Sequence, residues 1–290
     1  MHRLANVARI IGLLAAAVAL AGCSAIKLGY SSVPQVGMWW LDGYVDLSDD
    51  QEPRTREDFA RLYQWHRRQE LPKIGALLQQ AEKMVGNDMT ADEACAMVPA
   101  VRQRIAAILE RAEPAATTLA LGLRPEQLAH LRHKYDKNNR EYRKDWVDLP
   151  AAEVREKRFK QYVERAETVY GRLAEPQREL VRSQLAGSVF NAQTNLRERQ
   201  RRQQDILQTL QRLARQPVSL SDARAAIHQL MEHAMHSPDA AYRSYEASLI
   251  QQGCRDLSAL HQTTTPQQRQ NAVRRLRAYQ RDVQELAAEP

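Results

Sequence analysis

Two stretches of this chain hold residue types that could do chemistry. The first is "HQLMEHAMH", residues 228–236. On a helix, spacings of three and four bring His228, Glu232 and either Met235 or His236 onto one face. Imidazole with carboxylate suits zinc, and imidazole with thioether suits copper. His228, Glu232 and His236 are therefore the metal candidates, but weak ones, because a fourth ligand would have to come from elsewhere. Leu230, Met231 and Ala234 read as core positions, and His233 follows Glu232, so no H-E-x-x-H is present. The plainer reading is a polar helix face, and the expectation is no metal and no cofactor. The second stretch is "HLRHKYDKNNREYRKDW", residues 130–146. Here Arg132, Lys134, Arg140 and Arg143 are interleaved with Tyr135, Tyr142 and Trp146, a candidate binding surface. Basic residues among aromatics suit nucleic acid or an extended polypeptide. A solvated face is the alternative, since Asp136–Arg140 and Glu141–Lys144 are opposite charges at helical spacing. Asp136 opens no calcium loop, as the Gly and distal Glu are missing. The chain has no G-x-S-x-G, no P-loop and no glycine-rich dinucleotide turn. It is expected not to be an enzyme; two acids converging for glycan cleavage are the catalytic alternative.

The compartment decides between these readings, and the N-terminus carries it. Arg3 and Arg9 flank a polar start, and residues 10–21 are apolar, the charged and apolar regions of a secretory signal. The run ends "LAGC", Leu20 to Cys23, which resembles the bacterial lipobox. That resemblance implies cleavage before Cys23 and acylation of its thiol and new amino group. Ser24 follows where an Asp would imply retention at the inner membrane, so the resemblance implies a lipid anchor in the outer membrane, facing the periplasm. Without residues 1–22, which hold two arginines and no acid, 40 basic and 35 acidic side chains remain, net +5. In that compartment nucleic acid is not an expected partner. The cysteines left, Cys95 and Cys254, are an even pair in an oxidising compartment, and a disulfide is expected.

The expected organisation is a signal peptide (1–22), a lipidated tether with an aromatic lead-in (23–50) and an all-helical periplasmic domain (51–290). The lead-in shows no helical period. Its Trp39, Trp40 and Tyr44 either plug the core or meet the membrane interface. Beyond it Ala, Leu, Arg, Gln and Glu dominate and strand-like alternation is absent, so the fold class is all-α, an elongated multi-helix bundle. Thr55 reads as a helix start, Thr90 with Glu93 as a capping box, and Ser237-Pro238 as a cap. Pro99 should kink or interrupt its helix. A single long helix is expected from about Glu175 to Arg215, with the wholly polar "RERQRRQQD" (197–205) projecting beyond its neighbours.

"LRPEQ" (123–127), "LAEPQ" (173–177) and "TTPQQ" (264–268) each put Pro in the first turn and Gln at the third helical position. The spacing resembles the LTxxQ signature of periplasmic Spy/CpxP-like chaperones, although Arg124 and Ala174 stand where Thr is expected. That resemblance implies a helical protein that holds unfolded clients. "WWLDGYVDL", "YGRLAEPQRELV" and the C-terminal "TTTPQQR" together resemble a family of proteobacterial lipoproteins of unknown function. The expected function is a non-catalytic binding or chaperone-like role in the cell envelope. Its partners would be the membrane, through the lipid, and an unfolded polypeptide or envelope protein. The alternative is a scaffolding lipoprotein docked on an envelope complex or peptidoglycan.

Overall fold

The computed structural model describes residues 26–215 and 217–289. Cys23 and the signal region lie outside the described residues. Among those described, eleven α-helices form an elongated all-α fold with no strand. They are α1 (Val33–Val45), α2 (Glu52–Trp65), α3 (Leu71–Gly86), α4 (Ala91–Leu121), α5 (Pro125–Tyr142), α6 (Ala151–Tyr170), α7 (Glu175–Ala186), α8 (Ala192–Arg215), α9 (Leu220–Met235), α10 (Ala240–Gln262) and α11 (Pro266–Ala288). One-turn π segments, His66–Glu70 and Arg143–Val147, join α2 to α3 and extend α5. The first carries two buried charges, Arg67 and Glu70. Glu70 is fully enclosed and held by Lys73 and Arg104 at 2.6 and 3.0 Å.

Local chemistry sets most of the boundaries. The Thr90 hydroxyl accepts from Glu93 N while the Glu93 carboxylate accepts from Thr90 N, a complete capping box. The three Pro-Gln starts behave alike, with Gln127, Gln177 and Gln268 accepting from the backbone N–H of Arg124, Ala174 and Thr265 at 2.9–3.0 Å. Several boundaries differ from the sequence expectation. The lead-in is helical, over residues 26–31 and again in α1. Its Met38 and Val45 are buried, while Trp39 and Trp40 are 75% and 56% exposed, so the tryptophans do not plug the core. At Gly37 an added Cβ would lie 2.8 Å from the Phe59 ring, so α1 seats on α2 where a side chain is missing. α2 starts at Glu52 with Pro53 in its first turn, leaving Thr55 buried inside the helix. α4 runs unbroken through Pro99 and Pro114. Its contacts with α2, α3, α8, α9 and α10 hold it on several sides, which offsets the two missing hydrogen bonds. The expected helix from Glu175 to Arg215 breaks at residues 187–191, where Gly187 is the C-cap and the Asn191 carboxamide caps Thr194 N. The polar run 197–205 does not project; it lies along α5. Asp239, not Ser237, caps α10.

The core is a series of small clusters between helix pairs. α11 lies antiparallel on α3, with Val85 against Ala272 and Leu276 at one end and Leu71 against Val283 and Leu286 at the other. Ile26 and Tyr30 cover the second end. α4 packs on α9 through Ala120, Ala223, Ala226 and Ile227. It is bonded to α10 by Cys95–Cys254, with Cα atoms 5.4 Å apart.

Candidate functional site

α5 and α8 run antiparallel, and a groove lies between them. Helical periodicity fixes which side chains line it. On α8 the positions 200, 204, 208 and 211 are all glutamine and share one stripe, and Gln203 sits beside them. One end is a cavity of about 450 Å³ lined by Trp40 and Tyr44 of α1, Tyr135 of α5, Arg199 and Arg202 of α8 and Tyr242 of α10. The other is a cavity of about 440 Å³ lined by the glutamine stripe with Arg132, Asp136 and Asn139. Tyr135 and Gln203 line both, and Asn139 Nδ2 donates to Gln203 Oε1 at 2.6 Å across the join.

The charged end is asymmetric. Glu198 is buried and takes both Arg201 and Arg202, at 2.8 and 2.7 Å. Burial opposes its ionisation, but hydrogen bonds from Arg201, Arg202 and Ser237 outweigh that and hold the carboxyl below its ordinary range. Arg199, one residue on, is half-buried and makes no ion pair among the described residues. Its Nε is buried without a hydrogen-bond partner, and its guanidinium lies 5.8 Å from the Tyr142 ring centroid. Burial, with the neighbouring Tyr44, pushes the Tyr135 hydroxyl up to about 12, Arg199 opposing, so Tyr135 is a neutral phenol. Aromatic rings continue the wall. Trp40 packs on Tyr44 (4.7 Å), Tyr44 on Tyr135 (6.1 Å), Tyr142 on Trp146 (6.4 Å) and Trp146 on Phe190 (6.0 Å). Lys157 and Arg158 lie over Trp146 and Phe190 at 4.4 and 4.3 Å.

Of the surface residues expected from sequence, Tyr135 and Arg132 line the groove, and Tyr142 and Trp146 extend its aromatic wall. Lys134 is placed over Tyr44 at 5.5 Å. Arg140 is exposed outside the groove, and Arg143 faces Asp148 at 4.0 Å. Sequence reasoning missed Arg199, Arg202 and the glutamine stripe. Their signal was the wholly polar run itself, in which Gln200 and Gln204 begin a glutamine spacing of four that Gln208 continues among the mixed charges.

Residues 43–243 match a family of unknown function. The chain belongs to DUF6279. The DUF6279 span takes in all of α5 and α8, and with them every groove residue except Trp40 and Leu41. No curated protein and no solved structure matches the chain.

The metal candidates do not converge. His228 Nδ1 lies 2.9 Å from Glu113 Oε2, while Oε1 of the same carboxylate accepts from Arg224. Glu232 faces His236 at 3.5 Å. Among the described residues no group of three or more His, Cys, Asp or Glu is placed to hold a metal ion. The helix points His228 at an acid on α4, which makes this a salt-bridged interface.

Proposed function

We propose that this DUF6279 chain is a lipid-anchored lipoprotein of the outer membrane, facing the periplasm, that binds extended polypeptide non-catalytically in the α5–α8 groove. The observation that carries the reading is the groove's mixed chemistry. Glutamine and asparagine carboxamides offer donors and acceptors together, which suits the repeating N–H and C=O of a peptide main chain. The aromatic end suits apolar side chains, and Arg199, with no acid of its own, suits a carboxylate. Anchoring is supported by the Leu20–Cys23 sequence and by the helical lead-in on its C-terminal side. There Leu28, Val33, Val36 and Trp39 form an exposed apolar stripe that follows Cys23 closely in the sequence. Tryptophan on such a stripe suits the headgroup layer, and acyl chains contribute about 0.8 kcal/mol per buried methylene.

The purified protein at stoichiometric ratio is expected to suppress aggregation of a reduced, unfolded client. Arg199→Glu with Tyr135→Ala should weaken that by about tenfold, the equivalent of about 1.4 kcal/mol. No suppression by the unaltered protein removes the reading. Capture from envelope extracts separates the two binding roles. Many unfolded clients mean a chaperone; one stable partner, or peptidoglycan, means a scaffold.

A further inference from the structure

A further cavity, sharing no lining residue with the groove, is bordered by α3, α4, α6, α10 and α11 and has a volume of about 530 Å³. Its wall is almost wholly apolar, and three methionines, Met84, Met89 and Met97, contribute to it. Unbranched thioether side chains adapt to flexible occupants better than branched ones do. The disulfide frames it: Ala94 and Met97 flank Cys95, and Gly253 and Leu257 flank Cys254. Two polar features depart from this lining. The Tyr162 hydroxyl is buried with no hydrogen-bond partner among the described residues. Arg165 is exposed, makes no ion pair there, and is the one charged residue of the lining, which contains no acid.

Gly253 adds an independent sign. It sits in the middle of α10, where glycine is less favourable than alanine, yet an added Cβ there would meet nothing within 4 Å. No packing demand accounts for it. It is exposed and lines the cavity, so it lies on the rim, where a bulky side chain can be placed to narrow the mouth.

We propose that this cavity binds one single-chain anionic amphiphile, a fatty carboxylate, with the chain among the methionines and the carboxylate at Arg165. Charge complementarity selects the headgroup, since Arg165 has no competing acid in the lining, and the volume lies in the range of ligand pockets. The site is separate from the polypeptide groove and does not depend on it.

The test uses the full protein in lipid nanodiscs with a diazirine-bearing palmitate, mapped by mass spectrometry after irradiation. Expected are saturable crosslinks to the segments holding Met84–Met97 and Gly253–Leu257. Labelling should fall at least tenfold in Gly253→Trp and about fivefold in Arg165→Glu, with a diazirine-bearing hexadecanol labelling weakly throughout. Gly253→Leu, a smaller plug, serves if the tryptophan variant loses its helical circular dichroism. Crosslinks spread over the surface, or labelling unchanged in the plugged variants, overturns the site. Equal labelling by the alcohol, with no effect of Arg165→Glu, overturns the carboxylate assignment.

Discussion

His261 has no exposed surface, yet both of its ring nitrogens are used. Nε2 lies 2.7 Å from the Asn87 carbonyl, which can only accept, so Nε2 carries the proton. Nδ1, 3.0 Å from the Tyr170 hydroxyl, therefore accepts. The neutral ring is satisfied at both ends, and a second proton at Nδ1 would cost the Tyr170 bond. Burial pushes the imidazole below its ordinary value; the Asn87 carbonyl opposes this and Arg269 adds to it. His66 is similar, lowered by burial against the pull of Glu70, with Nδ1 2.9 Å from the Tyr30 hydroxyl. In the unfolded chain both rings take up protons near pH 6.5, while the folded protein resists. Below that pH the unfolded state binds more protons, so this stability is present above about pH 6.5 and is lost as pH falls through the lower folded values. The urea midpoint at pH 5.5 is thus expected to lie below that at pH 7.5, and His261→Gln should flatten the difference. A midpoint that does not move between these pH values would count against the assignment. Glu113 and Glu198, held below the carboxylate range, add their own loss only nearer pH 4. Nothing in "SALHQ" marks this histidine out, because its burial depends on Asn87 and Tyr170 arriving from other helices.

At the scale of elements, the Pro-Gln helix starts do more than cap. Gln177 and Gln268 face one another, each donating Nε2–H to the other's Oε1, at 2.8 and 2.9 Å. Each also donates across the crossing to a carbonyl at the end of the opposite hairpin's first helix, Gln177 to Thr263 and Gln268 to Arg172, both at 3.0 Å. With the N-cap bonds, every donor and acceptor of both carboxamides is used. Gln51 and Gln127 repeat the arrangement. Gln127 Nε2 donates to Gln51 Oε1 (2.7 Å) and the Asp46 carbonyl (2.8 Å), and Gln51 Nε2 donates to the Gly122 carbonyl (2.8 Å). Gln268→Ala should cost about 2–4 kcal/mol, since it strands several partly buried groups at once. Gln177→Ala with Gln268→Ala should cost less than the sum by about 1–2 kcal/mol, while exposed Gln267→Ala stays within about 0.5. Strict additivity in urea unfolding would mean that the two amides do not act as a pair. The helical class and the capping glutamines were legible in sequence because capping is chemistry within four residues. The pairing was not, since it joins residues 76 and 91 apart. Nor was the fourth member seen, because "LSDDQ" (47–51) has the same Leu-to-Gln spacing but straddles the boundary drawn between the tether and the helical domain. The groove was half legible for a similar reason. α5 advertised itself by mixing aromatics with cations, whereas α8 became a wall only by packing beside it.

For the molecule as a whole, one Gln-locked crossing lies within residues 33–147 and the other within 151–288, so each half carries its own helix-pair lock. The family match stops early in α10, yet α11 beyond it closes the long face of α3, so the fold draws on more chain than the matched span. The halves meet along three seams: α11 on α3, α8 beside α5, and α4 reaching across to α8, α9 and α10, where the bond from Cys95 on α4 to Cys254 on α10 fastens one end. The bond closes a sequence separation of 159 residues, for which the chain-entropy account gives about 4–5 kcal/mol as an upper figure. The locks are local to each half and survive reduction, and the α3–α11 and α5–α8 seams remain, so the helices should persist while the α4–α10 contact loosens. Reduced protein, or Cys95→Ala with Cys254→Ala, is therefore expected to keep its far-ultraviolet circular dichroism but to unfold at a clearly lower urea concentration. Hydrogen exchange should quicken first in α10 and the first turns of α4, and least along α5 and α8. An unchanged urea midpoint after complete reduction, checked by thiol mass labelling, would sink this account, because the non-covalent seams would then be sufficient to hold the halves in register.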